Sequence, residues 1–569
     1  MKPTLRVMFP VLLLLYLATA AFGQHTLFLK APTTATNLSD IIMGDTTANG
    51  ARVDTQRVYV LQRGGTWFWN NIVTNAGWPL NIVASDTGVA EQPRVYAMPV
   101  PNATPLAVPY QFVNVEGNVY VKGITMVGYF DQDTSYLDNY GATYILFRCA
   151  TPGWRMEFVG NTFGGTNQAF ASNFAAGTTI KFTDNILVNS NVPWSAGAGN
   201  GRVVDARNIS LDSLVMINNT VAYGFDRVMR HRSSVGRINH IIFDHNTVYE
   251  NGGRYGLFTL GAVGSDVTIT NSLFVDPMAM GADTNSQRQY DFIESNEFDA
   301  QGKVVMSWIN YAPLQTDTLP GFTPTQWKIA HNYYYTSPSL TAAWDTARAE
   351  GWDPTLGFGR ILSDSIKARL GADTATAFTA LSNFAFNKVP APFSNLMLWF
   401  AEPTSMGGAE GGDGSGLQAT YPGYDIHTTP YYRDTMSAAY STASPAYTGA
   451  WGGFPAGDLN WYPSAKATWA TTAVKAANTT VPNKFSLEQN YPNPFNPSTQ
   501  IKFNLGQPGM MSLKVYNLLG QMVQVVDEGQ RAAGEYTYNV DMSRFASGVY
   551  FYRLEQGTNV LTKKMLLLK

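Results

Sequence analysis

A short pattern of apolar residues around an asparagine recurs along the middle of the chain. Each copy has apolar residues five and three positions before the Asn and another two positions after it. Clear copies span residues 156–163, 180–187, 214–221 and 241–248, and a more distant copy spans 327–334. Alternating apolar residues face one side of a strand, so each copy predicts a strand, a turn at the Asn and a second strand.

The spacing of these asparagines predicts a solenoid. The successive residues are separated by 24, 34, 27 and 25 positions and are Asn161, Asn185, Asn219, Asn246 and Asn271. Recurrence at such lengths is typical of repeat architectures, and repeats of strands and turns predict a parallel β-helix in which each coil stacks on the last. We expect Asn at the corner because it tolerates the left-handed backbone conformation. We also expect the stacked side chains to form an amide ladder.

Taken together, the repeats resemble the right-handed β-helix of pectate-lyase-like proteins. Copies at 119–124 and 267–274 fit with a one-residue slip, so we expect regular coils over residues 112–275. The resemblance implies a fold and not an activity, because many chemistries use this scaffold. The alternative, a β-sandwich with unrelated Asn turns, is disfavoured by the fixed repeat.

Further stretches complete an expected solenoid domain at residues 24–464. Short amphipathic patterns within 336–395 predict a helical excursion on the side of the solenoid. Residues 444–450 and 453–463 resemble the closing segment of many bacterial β-helices, which protects exposed strand edges from other chains.

Composition indicates an exported β-rich protein. Charged residues make up only 14% of the 569 residues and the formal net charge is −3, so the chain lacks the basic footprint of a nucleic-acid-binding protein. Its apolar and aromatic content is too high for intrinsic disorder. The single cysteine, Cys149, excludes an intramolecular disulfide.

The first 23 residues predict a signal peptide. Lys2 and Arg6 precede an apolar run, and Ala21-Phe22-Gly23 supplies a small-x-small cleavage site. No later stretch is long and apolar enough to span a membrane, so we expect no transmembrane segment in the mature chain.

Residues 484–569 predict a second, smaller domain. An Ala- and Thr-rich stretch at 465–483 is the expected linker. Beyond it, short strands punctuated by glycines predict an immunoglobulin-like β-sandwich. The expected fold class is therefore all-β: a right-handed parallel β-helix with a small helical excursion, followed by a C-terminal sandwich.

Five motifs in this domain resemble the type A C-terminal sorting domain of the type IX secretion system. The residues that carry the resemblance are Pro492, Asn493, Pro494, Gly534, Tyr536, Gly548, Tyr550, Lys563 and Lys564. The resemblance implies passage through the periplasm, export across the outer membrane, and a location outside the cell or on its outer surface. It also implies the secretion machinery and its sortase as partners, with release of the cargo or attachment to surface lipopolysaccharide. A carbohydrate-binding sandwich is the alternative.

The densest charge cluster in this charge-poor chain gives the candidate site. The catalytic candidates are Arg230, His231, Arg232, Asp244 and His245. The substrate-binding candidates are Asp184, Asn218 and Arg254. A polyuronate lyase needs a cation to neutralise the substrate carboxylate, which Arg can supply, and a base such as His, Lys or Arg to take the C5 proton. Local ion pairs in a solvated turn are the alternative explanation.

Two functions remain open from the sequence. The first is a binding or structural module that contacts extracellular polysaccharide. The second is a polysaccharide-degrading enzyme, with a polyuronate lyase favoured over a glycoside hydrolase because the paired-Asp motif of polygalacturonase-like β-helices is absent. No cofactor is certain and no metal site is assigned, but Asp carboxylates on neighbouring coils make calcium a candidate.

Overall fold

The computed structural model describes residues 25–568 with internal gaps. The gaps are 101–107, 130–141, 191–200, 208, 225, 232–235, 254–255, 283–305, 312–323, 352–354, 390–431, 478–484, 506–508, 532–533 and 557–558. The predicted signal peptide therefore lies outside the described residues. The chain divides into two compact units, one ending at Ala467 and the other containing Thr468–Lys569.

Three long parallel sheets run through the first unit and confirm the predicted parallel β-helix. The first sheet contains the strands Thr26–Leu29, Val58–Leu61, Leu80–Ala84, Val119–Lys122, Arg155–Val159, Thr178–Thr183, Leu211–Ile217, Arg237–Asp244, Ala262–Thr270 and Gln326–Ala330. The second contains Thr66–Trp69, Arg94–Ala97, Thr125–Val127, Thr162–Thr166, Ile186–Ser190, Thr220–Ala222, Thr247–Tyr249, Leu273–Val275, Asn332–Tyr335 and Phe378–Ala380. The third contains Val73–Thr74, Gln111–Val115, Ile145–Cys149, Ala169–Asn173, Arg202–Arg207, Met229–His231, Phe258–Thr259, Ser307–Asn310 and Arg360–Leu362.

Inward-facing side chains from all three sheets fill the solenoid. Phe158 of the first sheet packs against Phe163 of the second and Phe147 of the third, with ring centroids 5.4 and 4.7 Å apart. Its register partner on the next coil, Phe182, lies 4.8 Å away. Each coil fills this position with an aromatic or an aliphatic residue, so apolar side chains stack along the axis and bury apolar area continuously.

Helices close both ends of this core. Leu38–Gly44 contacts the first strands of the second and third sheets and inserts Leu38 and Ile42 into the core. At the other end, Asp364–Leu370 contacts the last strand of the first sheet and inserts Ile366. The 3-10 turn Gly371–Asp373 and the helix Thr374–Ala377 follow. Part of the predicted helical excursion is thus an end cap.

A second apolar layer covers the outer face of the second sheet. Its elements are the helices Pro338–Ala349 and Tyr432–Thr435, the antiparallel strands Phe386–Lys388 and Ser437–Tyr440, and the 3-10 turns Pro445–Thr448 and Leu459–Trp461. Trp344 and Tyr440 from this layer share a core with Val188 and Leu273 of the second sheet. The expected closing segment therefore lies alongside the coils, and the end is closed by other residues.

The corner between the first and second sheets corrects the predicted conformation of the asparagines. The left-handed residue is the one before each Asn, with φ of 65° at Gly160, 62° at Asp184, 54° at Asn218 and 51° at His245. Asn271 also has φ of 55°, so it belongs to this left-handed column and its copy of the repeat is shifted by one residue.

The following asparagines form the expected amide ladder. Asn161 Nδ2 donates to Asn185 Oδ1 (3.1 Å), Asn185 Nδ2 donates to Asn219 Oδ1 (2.9 Å), and Asn219 Nδ2 donates to Asn246 Oδ1 (2.9 Å). The Asn246 backbone N–H then donates to Ser272 Oγ at 3.1 Å. The ladder satisfies buried backbone groups that the turn leaves without strand partners.

The second unit contains two antiparallel sheets. The helix Pro463–Ala477 contains the described part of the expected linker stretch and crosses the unit boundary in sequence. One sheet contains Ser486–Leu487, Ser498–Leu505 and Gly534–Asp541, and the other contains Gly509–Tyr516, Met522–Arg531, Gly548–Gln556 and Asn559–Leu567. Phe503 from the first and Tyr552 from the second share one buried core, as expected of a sandwich.

Candidate functional site

The third sheet carries a column of polar residues across successive coils. Its members occupy matching register positions and are Asn114, Arg148, Ser172, Asp205, Arg230, Thr259 and Asn310. Val204 and Ala206, on either side of Asp205, belong to the hydrophobic core, so strand alternation directs Asp205 and its column away from the core. At about 4.8 Å per strand, this polar column extends over roughly 29 Å.

Two members of the polar column have unused hydrogen-bonding capacity. Ser172 Oγ and Asn310 Oδ1 are both buried, and neither has a hydrogen-bond partner among the described residues. Buried polar atoms are nearly always paired in native proteins, so each of these two atoms has capacity for a further hydrogen bond.

An Arg–Asp cluster occupies the centre of this face. Its members are Arg202, Asp205, Arg207, Asp226, Arg227 and Arg230. Arg230 donates to Asp205 from two of its three guanidinium nitrogens, Nη2 to Oδ2 at 2.6 Å and Nε to Oδ1 at 2.9 Å. Asp205 Oδ2 also lies 3.2 Å from Arg207 Nε, while Arg202 Nε lies 2.8 Å from Asp226 Oδ2.

Among the described residues, the Arg–Asp cluster contains more arginines than aspartates. Four guanidinium groups face two carboxylates, and all but Arg207 are buried. Burial opposes ionisation of Asp205, but the charges of Arg202 and Arg230 prevail and lower its pKa to about 2. Burial and the neighbouring Arg230 lower the pKa of Arg202 to about 9. Additional negative charge would therefore be favourable here, because it would offset repulsion among the guanidinium groups.

Aromatic rings flank the polar column. The guanidinium carbons of Arg148 and Arg207 lie 4.5 and 5.5 Å from the ring centre of Phe174, directly after a third-sheet strand. Before the strands, Tyr110 and Tyr144 stack with their centroids 4.7 Å apart, and Tyr110 is exposed. Flat apolar rings beside polar groups are suited to the faces and hydroxyls of sugar rings.

His231 is adjacent to the cluster, but both of its nitrogens face backbone carbonyls. Nδ1 lies 3.0 Å from the Leu260 oxygen and Nε2 lies 3.1 Å from the Ile209 oxygen. Burial lowers the pKa of His231 to about 4. The imidazole is therefore neutral near pH 7 and donates to only one of the two carbonyls, and its enclosure by backbone groups of neighbouring coils favours a structural role.

Asp244 and His245 lie at the corner between the first and second sheets, away from the third-sheet strand of Arg230. Asp244 Oδ1 accepts hydrogen bonds from Thr270 Oγ1 (2.7 Å) and Asn271 Nδ2 (2.8 Å). His245 is fully buried against the backbone of residues 455 and 457, and burial lowers its pKa. The structure thus separates the catalytic candidates into two places.

The left-handed column that contains Asp184 and Asn218 is covered by the chain itself. Lys466 Nζ lies 2.7 Å from Asp184 Oδ1, and Asn460 Nδ2 donates to the Asn218 carbonyl at 2.8 Å. Asp458 reinforces this cover by accepting from Thr220 Oγ1 at 2.7 Å. We call residues 449–466 the corner strap. The remaining candidates, Arg232 and Arg254, lie outside the described residues.

The described part of the chain groups no three His, Cys, Asp or Glu side chains in a way that could hold a metal ion. Asp205 is engaged by arginines, and Asp244 accepts from Thr270 and Asn271.

Sequence reasoning missed several residues of the third-sheet face, among them Arg202, Ser172 and Asn310. The repeat around Asn161 and its counterparts describes only the first two sheets and gives no register for the third. The available signal was local: Arg202–Arg207 reads RVVDAR, in which apolar residues separate charged ones.

In the second unit, the sorting-domain motifs form one connected structure. Asn493 Oδ1 accepts from the backbone N–H of Leu566 at 2.9 Å, and the Pro492 carbonyl accepts from Thr499 Oγ1 at 2.8 Å. Tyr536 stacks on Phe503 with centroids 5.4 Å apart. The proline-rich segment, which includes Pro494, is thus held against the final strand.

The remaining motif residues belong to the strands. Gly534 pairs with Leu505, and Gly548 pairs with Leu567. Tyr550 donates its hydroxyl to the Ala546 carbonyl at 2.8 Å. Lys563 and Lys564 are neighbours in the edge strand Asn559–Leu567.

Comparison with known proteins identifies this second unit. Residues 489–568 match the family described as secretion system C-terminal sorting domain. No curated protein matches the chain significantly. Within the described ranges, no helix has the length and apolar character needed to cross a membrane. The resemblance of the solenoid to pectate-lyase-like proteins stays an expectation.

Proposed function

For a protein that the type IX secretion system exports to the cell surface or beyond, we propose that the solenoid binds an acidic extracellular polysaccharide along its third sheet. The observation that carries this proposal is the Arg–Asp cluster, whose described members are four arginines and two aspartates in the middle of a long polar column. The accessible residues here are the half-buried Asn114 and Arg148 of the column and Arg207 beside it, whereas Ser172, Asp205, Arg230, Thr259 and Asn310 are buried behind them.

Arg207 and Arg148 are the residues that meet the polymer first. Arg207 is about one-third exposed, at 35%, whereas Asp205 and Arg202 behind it are buried. A guanidinium group presents two parallel donors to a carboxylate or a sulfate ester. Phe174 and Tyr110 provide ring faces for the sugars.

Binding without turnover is favoured over a lyase by the position of His231. A lyase needs a group that takes the C5 proton, and both His231 nitrogens already face carbonyl oxygens. Polyuronate lyase activity remains the alternative function. We also propose that a sortase cleaves the chain and attaches it to surface lipopolysaccharide. This part of the proposal rests on the sorting domain alone.

The test compares Arg207→Gln with Arg155→Gln. Arg155 is an exposed first-sheet arginine that pairs with Glu157 at 2.8 Å, so it controls for loss of one surface charge. The purified protein would be applied to an array of neutral, uronate and sulfated glycans, followed by titration calorimetry at two salt concentrations. We expect an acidic glycan to bind, Arg207→Gln to weaken binding about tenfold, Arg155→Gln to leave it unchanged, and added salt to reduce affinity.

Several outcomes would contradict the proposal. An equal loss of glycan affinity in both variants would show that the third sheet is not the binding site. Binding confined to neutral glycans would show that the Arg–Asp cluster does not contribute. Absorbance from an unsaturated product, followed during incubation with polyuronates with and without calcium, would instead support the lyase.

A further inference from the structure

Among the described residues of the sorting domain, four of the seven exposed large apolar side chains lie in one hairpin, and the other three, Tyr491, Val560 and Leu568, lie elsewhere. Leu518 and Leu519 are 69% and 83% exposed, and Met522 and Val525 are 54% and 44% exposed. We call residues 517–525 the apolar hairpin. The domain core is formed by other residues, including Phe503 and Tyr552. Exposed apolar clusters of this kind mark interaction sites.

The apolar hairpin is held in a fixed conformation. The Asn517 side-chain oxygen accepts from the backbone N–H groups of Leu519 and Gln521, each at 3.0 Å. Asn517 Nδ2 donates to Gln521 Oε1 at 2.9 Å, and Gly520 supplies the left-handed turn with φ of 77°. Two leucines are therefore presented on a preorganised loop, which reduces the entropy lost when a partner binds.

The strand that follows the loop is at the edge of its sheet. Met522–Arg531 pairs on one side with Gly509–Tyr516, and no described strand pairs with its other side. Val523 and Val526 pack against the domain core, whereas Met522 and Val525 are exposed. An edge strand with outward apolar side chains can accept a strand from another protein, which adds backbone hydrogen bonds to apolar contacts.

We propose that the apolar hairpin and its edge strand are the surface by which the sorting domain docks onto a protein of the export machinery. The partner presents an apolar, strand-forming surface. The hairpin lies inside the matched range 489–568, so it belongs to the part of the chain that the machinery recognises. This inference does not depend on glycan binding by the solenoid.

The test uses the full chain, produced in a bacterium that has a type IX secretion system. The double variant Leu518→Ser/Leu519→Ser is compared with Val560→Ser, which changes a 51% exposed residue on the opposite edge strand of the same sheet. Surface and released protein are measured against periplasmic protein by protease treatment of intact cells and immunoblotting. We expect the exported fraction to fall at least tenfold in the double variant and to stay within twofold of the parent in Val560→Ser.

Two further measurements separate docking from folding and self-association. Thermal unfolding of the purified variants should match the parent, because the substituted side chains are exposed. Val525→Lys, on the edge strand, should reproduce the export defect, and a photo-crosslinker at position 519 should capture an envelope protein that one at position 560 does not.

Normal export of a folded double variant would overturn the proposal. So would a parent that forms dimers through this hairpin while the monomeric variant is exported normally, since the surface would then belong to a second copy of the chain. Should the double variant unfold, normal export of Val525→Lys together with absence of crosslinking at position 519 would equally overturn it.

Discussion

Two neighbouring asparagines in the corner are expected to differ strongly in how much their substitution destabilises the protein. Asn219 is in the amide ladder, where its Oδ1 accepts from the Asn185 backbone N–H (3.0 Å) and Nδ2 (2.9 Å). Its Nδ2 faces the carbonyl oxygens of Phe182 and Ile217 and the Oδ1 of Asn246. Replacing Asn219 by Ala removes all five contacts within a fully buried site.

The cost of Asn219→Ala follows from these contacts. A typical internal hydrogen bond contributes about 1 kcal/mol net, and a buried donor left unpaired costs about 1–3 kcal/mol. Asn185 Nδ2 keeps the carbonyls of residues 158 and 183 as acceptors. The main group left without a hydrogen-bond acceptor is therefore the Asn185 backbone N–H. We expect a loss of about 4 kcal/mol, a large share of the roughly 5–15 kcal/mol that stabilises a typical protein.

Asn218→Gly is the matched comparison, one residue away and equally buried. The Asn218 side chain has no hydrogen-bond partner among the described residues, and its φ of 54° is one that glycine adopts without strain. Relief of strain and of unpaired polar atoms offsets the lost packing and the greater freedom of glycine when unfolded. We therefore expect its free energy of unfolding to stay within about 1 kcal/mol of the parent.

Urea denaturation of the full chain, followed by tryptophan fluorescence and circular dichroism, measures both variants. Equal destabilisation at the two positions, or a loss below about 1 kcal/mol for Asn219→Ala, would refute the ladder as a main stabiliser of the corner.

Two more predictions concern His231 and the corner strap. Burial lowers the folded-state pKa of His231 to about 4, so the unfolded chain binds a proton first as the pH falls below about 6.5. The free energy of unfolding therefore falls by roughly 3 kcal/mol between pH 7 and 4. His231→Gln should reduce this pH dependence in urea titrations, and an unchanged pH profile would contradict the burial argument. Gly457→Ala should destabilise by about 3 kcal/mol, because the new Cβ would lie 2.6 Å from Thr247 Oγ1 at a φ of 94°. Gly453→Ala, at a φ of 79° with no atom within 4 Å, is its control in the same assay and should cost only about 1 kcal/mol; similar losses for the two would argue against a tight strap.

The first two sheets were predictable from the sequence because one corner constrains them both. The turn requires a left-handed residue, then a buried amide, and apolar residues at fixed distances on both sides. The prediction that the repeated Asn is the left-handed residue was wrong by one position. Asn can adopt the left-handed conformation and can also form the amide ladder, so the residue type does not distinguish the two roles. Gly160, directly before Asn161, was the available clue to the left-handed position.

The candidate site was less predictable because its geometry depends on segments of variable length. Arg230 and Asp244 are 14 residues apart in sequence, yet they belong to different sheets. The pairing of Arg230 with Asp205 depends on register between coils, which the corner repeat does not specify for the third sheet. The corner strap is also distant in sequence from the residues it covers. The sequence around Asp184 and Asn218 therefore does not predict that these residues are covered.

Hydrogen–deuterium exchange with and without a bound acidic glycan tests the central claim most directly. We predict slower exchange in the third-sheet strands Ala169–Asn173, Arg202–Arg207 and Met229–His231, with no change in the first-sheet strands of the same coils. Protection confined to the first sheet or to the sorting domain, or no protection at saturating glycan, would contradict a polysaccharide site on the third sheet.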